Sequence, residues 1–531
     1  MSRSFATGGT SRETRQRLET ERQAFRARIR ALGAPDVWAQ FQGKIAAVLA
    51  GGGARGAFEA GALLAIQDAG VPTPLITATS IGAINGASFA AHATGFVGNA
   101  EPLVDAWFDL TPPAVGVEWT RYAWMVGGLL ATFSGFVNLT YYLLTISGHS
   151  INLHHPALAW VSLFLAGLSV LFFYDQIPYV YFVVRRLLRR SQWRPSRKRL
   201  AISVGANALV LLFAVALVES LDVHTEFGTL VYAKPLVVAL IVAGLLLVQR
   251  ARRRMHPRLG KLWGRILRVP FRSGIFSNFE RTRFLRGWIP AAGLRASKIR
   301  IVLTATDLET GALRCFTNAD PASFLADSGV EEGFVSTSLA HRDDLMTAVI
   351  ASSALPIAYE PLMLDGRLYA DGAIVGSQPF RPAIRLGADV LLLISMEPPG
   401  GSSGKVHTFV DVGLRALDIL MQQNMQRDMA LLAQANRQIE DAASALGARP
   451  EDLAIEFEGS RFRYVKVFAI RPDEPIESTI LEFGGRTTEE TIIRGYRDAT
   501  RRIEEFATYA RTGGFTAERR ILQVAVARPA L

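Results

Sequence analysis

The segment from Ala47 to Ala87 confines this chain more tightly than any other. An apolar run, IAAVLA at 45–50, leads directly into three glycines and a helical pattern, and a second run, LITAT at 75–79, leads into a serine among small residues. A short apolar run bounded by glycine is the pattern of a strand buried on both faces. In GAFEAGALLAIQDAG, Phe58, Ala62, Leu63 and Ile66 recur at helical spacing, and the pattern stops at Gly70. Strand, glycine turn and helix in that order open an α/β domain.

Ser80 falls where the second strand turns into a helix. A nucleophilic serine on such a turn needs small residues two positions away on each side, because strand and helix backbones pass close together there. Gly82 supplies one, and Ala78 stands where a GxSxG pattern has its first glycine. The loop Gly51, Gly52, Gly53, Ala54, Arg55, Gly56 exposes backbone N–H groups at a helix N-terminus, which suits a phosphate or the oxyanion of an ester under attack. A dinucleotide site would require an acid at the end of the second strand, and that strand ends in Ser80. A phosphate-binding P-loop would require a lysine after Gly56, and none follows. The oxyanion reading is therefore favoured. Arg55 is read as steadying this loop or meeting an anionic head group, against the plainer reading of a surface arginine.

A serine hydroxyl is nearly inert at neutral pH until a base accepts its proton. Among the histidines, His149, His154, His155 and His224 fall in loops expected on the far side of a membrane, and His256 falls in a basic loop. His92, His341 and His407 lack a recognisable turn context. A carboxylate in a dehydrated pocket can serve instead, and Asp371, followed by Gly372 and Ala373 in LYADGA, is the candidate. Taken alone, Asp-Gly is an ordinary turn signal.

The chain has 531 residues, half of them apolar, so two or three domains and a sizeable core are available. Its net charge of +11 is localised: eight basic residues lie between Arg185 and Arg199 and nine between Arg250 and Arg272, leaving the remainder mildly acidic. That placement favours loops beside a membrane over a nucleic-acid groove, so no nucleic-acid partner is expected. Cys315 is the only cysteine, which excludes an internal disulfide. The N-terminal stretch carries no apolar run of signal-peptide type, and export through such a signal is not expected.

Long apolar stretches predict four membrane spans: Tyr122 to Ile146, Ala157 to Val184, Leu200 to Val218 and Gly228 to Val248. The loop SGHSINLHHP has no Lys or Arg and ESLDVHTEFG is acidic, while the other two loops hold the basic blocks. By the positive-inside rule both ends of the insert, and with them the catalytic domain, face the cytoplasm. Lys234 and Pro235 interrupt the fourth span, and Asp175 and Pro178 the second. The expected organisation is a charged N-terminal helix at 1–43, a first α/β part at 44–113, an all-helical transmembrane insertion at 114–275, a second α/β part at 276–400 and a C-terminal completion at 401–531. The N-terminal helix, with Leu18, Phe25, Ile29 and Leu32 on a partial stripe, either docks on the domain or lies on a membrane.

Read in order, GGGARG, TSIGA, ASSALP and DGRLYADGA resemble the patatin-like phospholipase family, with further matches at TATDLETG and GYRDA. The resemblance covers about 44–113 and 276–510. It implies a three-layer α/β/α domain with a mostly parallel central sheet, here interrupted by the helical insert. It also implies a Ser80–Asp371 dyad without histidine, an oxyanion hole at Gly51 to Ala54, an acyl-enzyme, no metal and no cofactor. Ala78, and Gln378-Pro379 where Asn-Pro is commoner, depart from the family pattern without removing a reacting group. The expectation is a membrane-integrated serine esterase acting on phospholipids or lysophospholipids. An acyltransferase using the same acyl-enzyme and a weakly catalytic lipid-binding protein are the alternatives.

Overall fold

In the computed structural model the two apolar runs become neighbouring strands in the middle of one sheet. The structure describes residues 10–41, 43–110, 112–116, 119–145, 156–173, 274, 276, 278–327, 329–356, 358–399, 409–457, 460–476, 483–512 and 520–523. The chain divides into two compact units, Met1–Glu118 with Gly274–Leu531, and Trp119–Ser273.

The larger unit is built on strands β1 (Ile45–Leu49), β2 (Leu75–Thr79), β3 (Arg300–Asp307), β4 (Leu313–Thr317), β5 (Leu339–His341), β6 (Leu362–Leu364), β7 (Arg367–Asp371), β8 (Val390–Ile394), β9 (Leu453–Phe457), β10 (Ser460–Arg463), β11 (Lys466–Ile470) and β12 (Arg520–Gln523). One sheet runs β11-β8-β1-β2-β3-β4-β5, with β7 also paired to β3 and β6 to β7. Pairing is parallel from β11 to β3 and antiparallel where β4 and β7 meet β3. β9, β10 and β12 form a separate small sheet. Along β1, Ile45, Ala47 and Leu49 enter one core cluster while Ala46 and Val48 enter another, so the sheet is covered on both faces. This is an α/β fold with a mostly parallel central sheet.

Two helices fix the first glycine loop. Ala57–Asp68 follows it, and Arg486–Ala510 crosses that helix at glycines: a Cβ on Gly61 would lie 1.9 Å from Ile492 O, and one on Gly495 would lie 2.0 Å from Phe58 O. Only bare backbone allows this approach. The charged N-terminal helix Thr10–Ala31 docks on the domain, burying Leu18, Phe25 and Ile29, with the Phe25 ring edge-on to Tyr496 at 6.0 Å. Arg22 donates from Nε and Nη2 to the buried Asp68 at 2.8 and 2.9 Å, Arg26 adds a bond at 2.6 Å, and the Tyr496 hydroxyl donates to the same carboxylate. The arginines on this helix thus serve partly as anchors rather than as a solvated face.

The smaller unit contains the helices Trp119–Thr145 and Pro156–Phe173. They pack closely through glycine: a Cβ on Gly135 would lie 2.6 Å from Phe164 N, and one on Gly167 2.4 Å from Thr132 N. The expectation of membrane spans finds no support here: among the described residues no helix is long and apolar enough to cross a membrane. Of the second expected span only the stretch to 173 is described, as the helix Pro156–Phe173. Trp119–Thr145 is longer, but Thr120, Arg121, Ser134, Asn138, Thr140 and several Trp and Tyr dilute its apolar character. The third and fourth expected spans, 200–218 and 228–248, lie outside the described residues.

The glycine crossing gives a stability prediction. Gly61→Ala is expected to destabilise the fold by about 2 kcal/mol through overpacking, seen as a lower unfolding midpoint. Gly287→Ala, a helical site with open space around it, is expected to be neutral or slightly stabilising in the same measurement.

Candidate active site

β2 delivers Ser80 and the helix Ile81–Ala91 leaves from it. Ser80 has φ 55° and ψ −124°, a region that side-chain-bearing residues rarely adopt, which marks the sharp strand-to-helix elbow. A Cβ on Gly82 would lie 2.7 Å from Leu49 O, so the position two after the serine must be glycine. Ala78 is completely buried, and a Cβ on Gly86, one helical turn further on, would meet its methyl at an ordinary 3.5 Å while crowding Leu49 and Ile76 at 2.9 and 3.2 Å.

Asp371 ends β7 and is completely buried. The Ser80 hydroxyl donates to Asp371 Oδ2 at 2.6 Å, and Ala373 N–H donates to Oδ1 at 2.8 Å. The backbone of Asp371 is fixed as well, its N–H donating to Ala354 O at 3.0 Å and its carbonyl accepting from Thr306 Oγ1 at 2.8 Å. Gly372 allows the close passage of β3, since a Cβ there would lie 2.4 Å from Thr304 O. Burial pushes the Asp371 carboxyl up to about 7, opposed by the bonds from Ser80 and Ala373 and by the charge of Arg281. A carboxylate tuned to that range accepts a proton near neutrality.

The glycine loop lies on the other side of Ser80. A Cβ on Gly51 would meet Ala373 Cβ at 3.0 Å and Ser80 Cβ at 3.2 Å, so Gly51 acts as clearance for the pair. Its N–H donates to Ser377 O at 2.9 Å and so is not available to an oxyanion. Gly53 has φ 58°, and Gly52 and Gly53 both line the cavity beside Ser80. Ala54 is buried and does not line it. Gly56 clears Ile81, whose side chain would lie 2.4 Å from an added Cβ. Arg55 is only 5% exposed, ion-paired to Glu397 and bonded to Asp418 at 2.8 Å, which answers the sequence alternatives in favour of steadying the loop.

Sequence reasoning missed several contributors. Ser352, at the end of the helix Leu345–Ser352, accepts the Ser80 N–H through its Oγ at 3.1 Å. Under the glycine loop, Asn85 donates to Gly56 O and to Glu59 Oε2, both at 2.9 Å, and accepts from Trp107 Nε1 at 3.1 Å. Complete burial raises the Glu59 carboxyl well above the usual carboxylate range, opposed by the bond from Asn85. Ser352 lies within ASSALP, but its bond to Ser80 is not readable from that motif; for Glu59 and Asn85 only a buried-looking polar residue within an apolar helix could have served as a flag. His92 bonds Ser88 O, His341 faces Asp343, and neither lines the cavity; the other histidines lie outside the described residues.

The pair opens into a cavity walled mainly by apolar side chains such as Ile84, Trp107, Leu285, Trp288, Leu355 and Phe483. Its polar lining includes Ser80, the glycine turn, Arg281, Ser353 and Tyr359. The arrangement suits an ester carbonyl at Ser80 with a long hydrocarbon group beside it.

The family model described as patatin-like phospholipase matches residues 47–384, more than half of the chain. The chain belongs to that family, a class of lipid acyl hydrolases. Lysophospholipase nte1 of Neurospora crassa is 34% identical over 144 residues, 23% of this chain and 9% of the relative. Lysophospholipase NTE1 of Chaetomium globosum is 37% identical over 115 residues, 19% of this chain and 7% of the relative. The chain therefore spans less than a tenth of these curated relatives. The solved structure of VipD from Legionella pneumophila aligns at TM-score 0.32 with 11% identity, covering 87% of this chain and 67% of that one, too low to carry an argument.

The buried carboxyl sets a pH expectation. With Asp371 as the proton acceptor proposed below, it must be ionised to act, so kcat/KM should be high above a midpoint near 7 and fall as pH drops through it. A flat kcat/KM between pH 5 and 8 on a soluble ester contradicts this tuning.

Proposed function

We propose that the chain is a serine esterase that removes the acyl chain of a lysophospholipid or related lipid ester at a bilayer surface. The observation that carries this reading is the 2.6 Å hydrogen bond from Ser80 Oγ to the buried Asp371 Oδ2, at the wall of an apolar cavity. Ser80 Oγ attacks the ester carbonyl carbon while Asp371 takes the hydroxyl proton, and the oxyanion forms against the Gly52 and Gly53 N–H groups. Collapse breaks the bond to the alcohol, which leaves with the proton from Asp371. Water then attacks the acyl-enzyme, gives its proton to Asp371 and releases the fatty acid, with Ser80 reprotonated. The lysophospholipase names of the partly matching relatives favour a single-chain lipid as substrate.

A lipid surface as the workplace is supported by the helix Trp119–Thr145, where Val126, Leu129, Leu130, Phe133, Phe136 and Val137 are all exposed at helical spacing. The basic blocks at 185–199 and 250–272 suit an anionic leaflet.

Ser80→Ala and Asp371→Asn are each expected to lower turnover of lysophospholipid vesicles by about a thousandfold or more. Full turnover by either variant refutes the pair. Acyl transfer to added lysolipid in preference to water would replace hydrolysis by the acyltransferase reading. Leu130→Asp combined with Phe133→Asp is expected to weaken vesicle binding at least about tenfold, measured by flotation, with turnover of a soluble short-chain ester unchanged.

A further inference from the structure

The helix Asn278–Trp288 brings Arg281 to the wall of the cavity that holds Ser80, and Arg281 is 3% exposed. Its guanidinium is held by neutral groups. One terminal nitrogen donates to Ser353 O at 2.6 Å and lies 3.4 Å from Ser353 Oγ; the other donates to Asn278 Oδ1 at 2.8 Å and Ile350 O at 3.1 Å. The guanidinium carbon lies 3.8 Å from the centre of the Tyr359 ring. The Nε–H is buried and has no acceptor among the described residues. Such a cation is costly to bury and keeps a strong outward field.

The carbonyls it grips end the helix Leu345–Ser352, where a cation complements the helix dipole. The residues at that end form a strap with one task each. Ser352 Oγ accepts the Ser80 N–H at 3.1 Å, Ser353 binds Arg281, and Ala354 O accepts the Asp371 N–H at 3.0 Å. The Arg281 charge also acts on Asp371 directly. The other groups around that carboxyl are neutral: Ser80 and Ala373 bond it, Thr306 bonds its carbonyl, and Thr304 packs on Gly372. Asp307, the nearby carboxylate of β3, is paired with Arg367 at 2.8 Å.

We propose that Arg281 is a positioning residue for the Ser80–Asp371 pair: it clamps the Ser352–Ala354 strap from which both members are held, and its fixed charge favours the ionised carboxylate of Asp371. This rests on Asp371 being the proton acceptor, so the test reads ionisation separately from turnover. The protonated-carboxyl infrared band that Asp371→Asn lacks is titrated in wild type, Arg281→Gln and Arg281→Lys. Glutamine keeps an amide donor for Ser353 O and removes the charge; lysine keeps the charge and loses the fork.

Arg281→Gln is expected to titrate with a midpoint about one pH unit higher than wild type. Its kcat profile should move with it, and turnover should fall on phosphate-bearing and neutral esters alike. Arg281→Lys is expected to hold the wild-type midpoint while kcat falls, since the strap is less firmly clamped. An unmoved midpoint in Arg281→Gln overturns the electrostatic role. A loss confined to phosphate-bearing esters overturns the proposal in favour of an anion subsite. A moved band midpoint with Asp371→Asn still fully active would instead refute the dyad and leave the effect of Arg281 on Asp371 intact.

Discussion

The geometry of this site depends on keeping one carboxyl out of water while it shares a short hydrogen bond with a serine. Desolvation alone would leave Asp371 protonated and useless as a base; full exposure would leave it too weak a base. The structure balances these limits with two donors, Ser80 O–H and Ala373 N–H, and one nearby cation. The arrangement weakens the fold. A carboxyl whose folded value is raised from 3.8 to about 7 becomes a growing burden on stability as pH rises towards 7, where its unfolded counterpart is already ionised. The cost falls in the range where the proposed reaction needs the base form.

That placement is achieved by strand register. β1, β2 and β3 run parallel, with Leu49 opposite Ala78 and Thr79 opposite Thr304, so the glycine turn and the serine elbow leave the sheet side by side. β7 pairs antiparallel with β3 and sets Asp371 opposite Ala305, bringing the carboxyl to the same edge from the other direction. The chain can therefore leave the domain after 118 and return at 274 without disturbing the pair, because Ser80 belongs to one segment and Asp371 to the other.

How much of this the sequence revealed follows from how local each signal is. The elbow was legible because Ser80, Gly82 and Ala78 lie within five residues, and the glycine loop because its constraint is the absence of side chains. Gly51 was read as an oxyanion donor, yet its N–H is taken by Ser377 O, a partner far along the chain. The two described apolar stretches of the insert form helices, but apolar content did not reveal how far polar residues dilute the first. Arg281 was invisible, and the part played by Ser352 within ASSALP was not readable, because each matters only through a contact with a distant segment.

Arg55 shows the same dependence in energetic form. Adjacent to the loop glycines, it suits either an anionic ligand or a structural tie, and sequence spacing does not separate the two. The fold does, by placing Glu397 beyond β8 and Asp418 on the helix Phe409–Leu446 within reach of its guanidinium. Gln422 donates to Glu397 at 3.0 Å and Arg415 to Asp418 at 2.7 Å, so both carboxylates are further compensated. A buried ion pair adds little net stability against a well-packed apolar alternative, but an uncompensated one is strongly unfavourable. The arrangement is therefore favourable only when the loop, the end of β8 and that helix are all in place. Glycines at 51 to 53 would otherwise leave the loop many conformations, and Arg55 removes that freedom by making the loop's correct shape a condition of the ion pair.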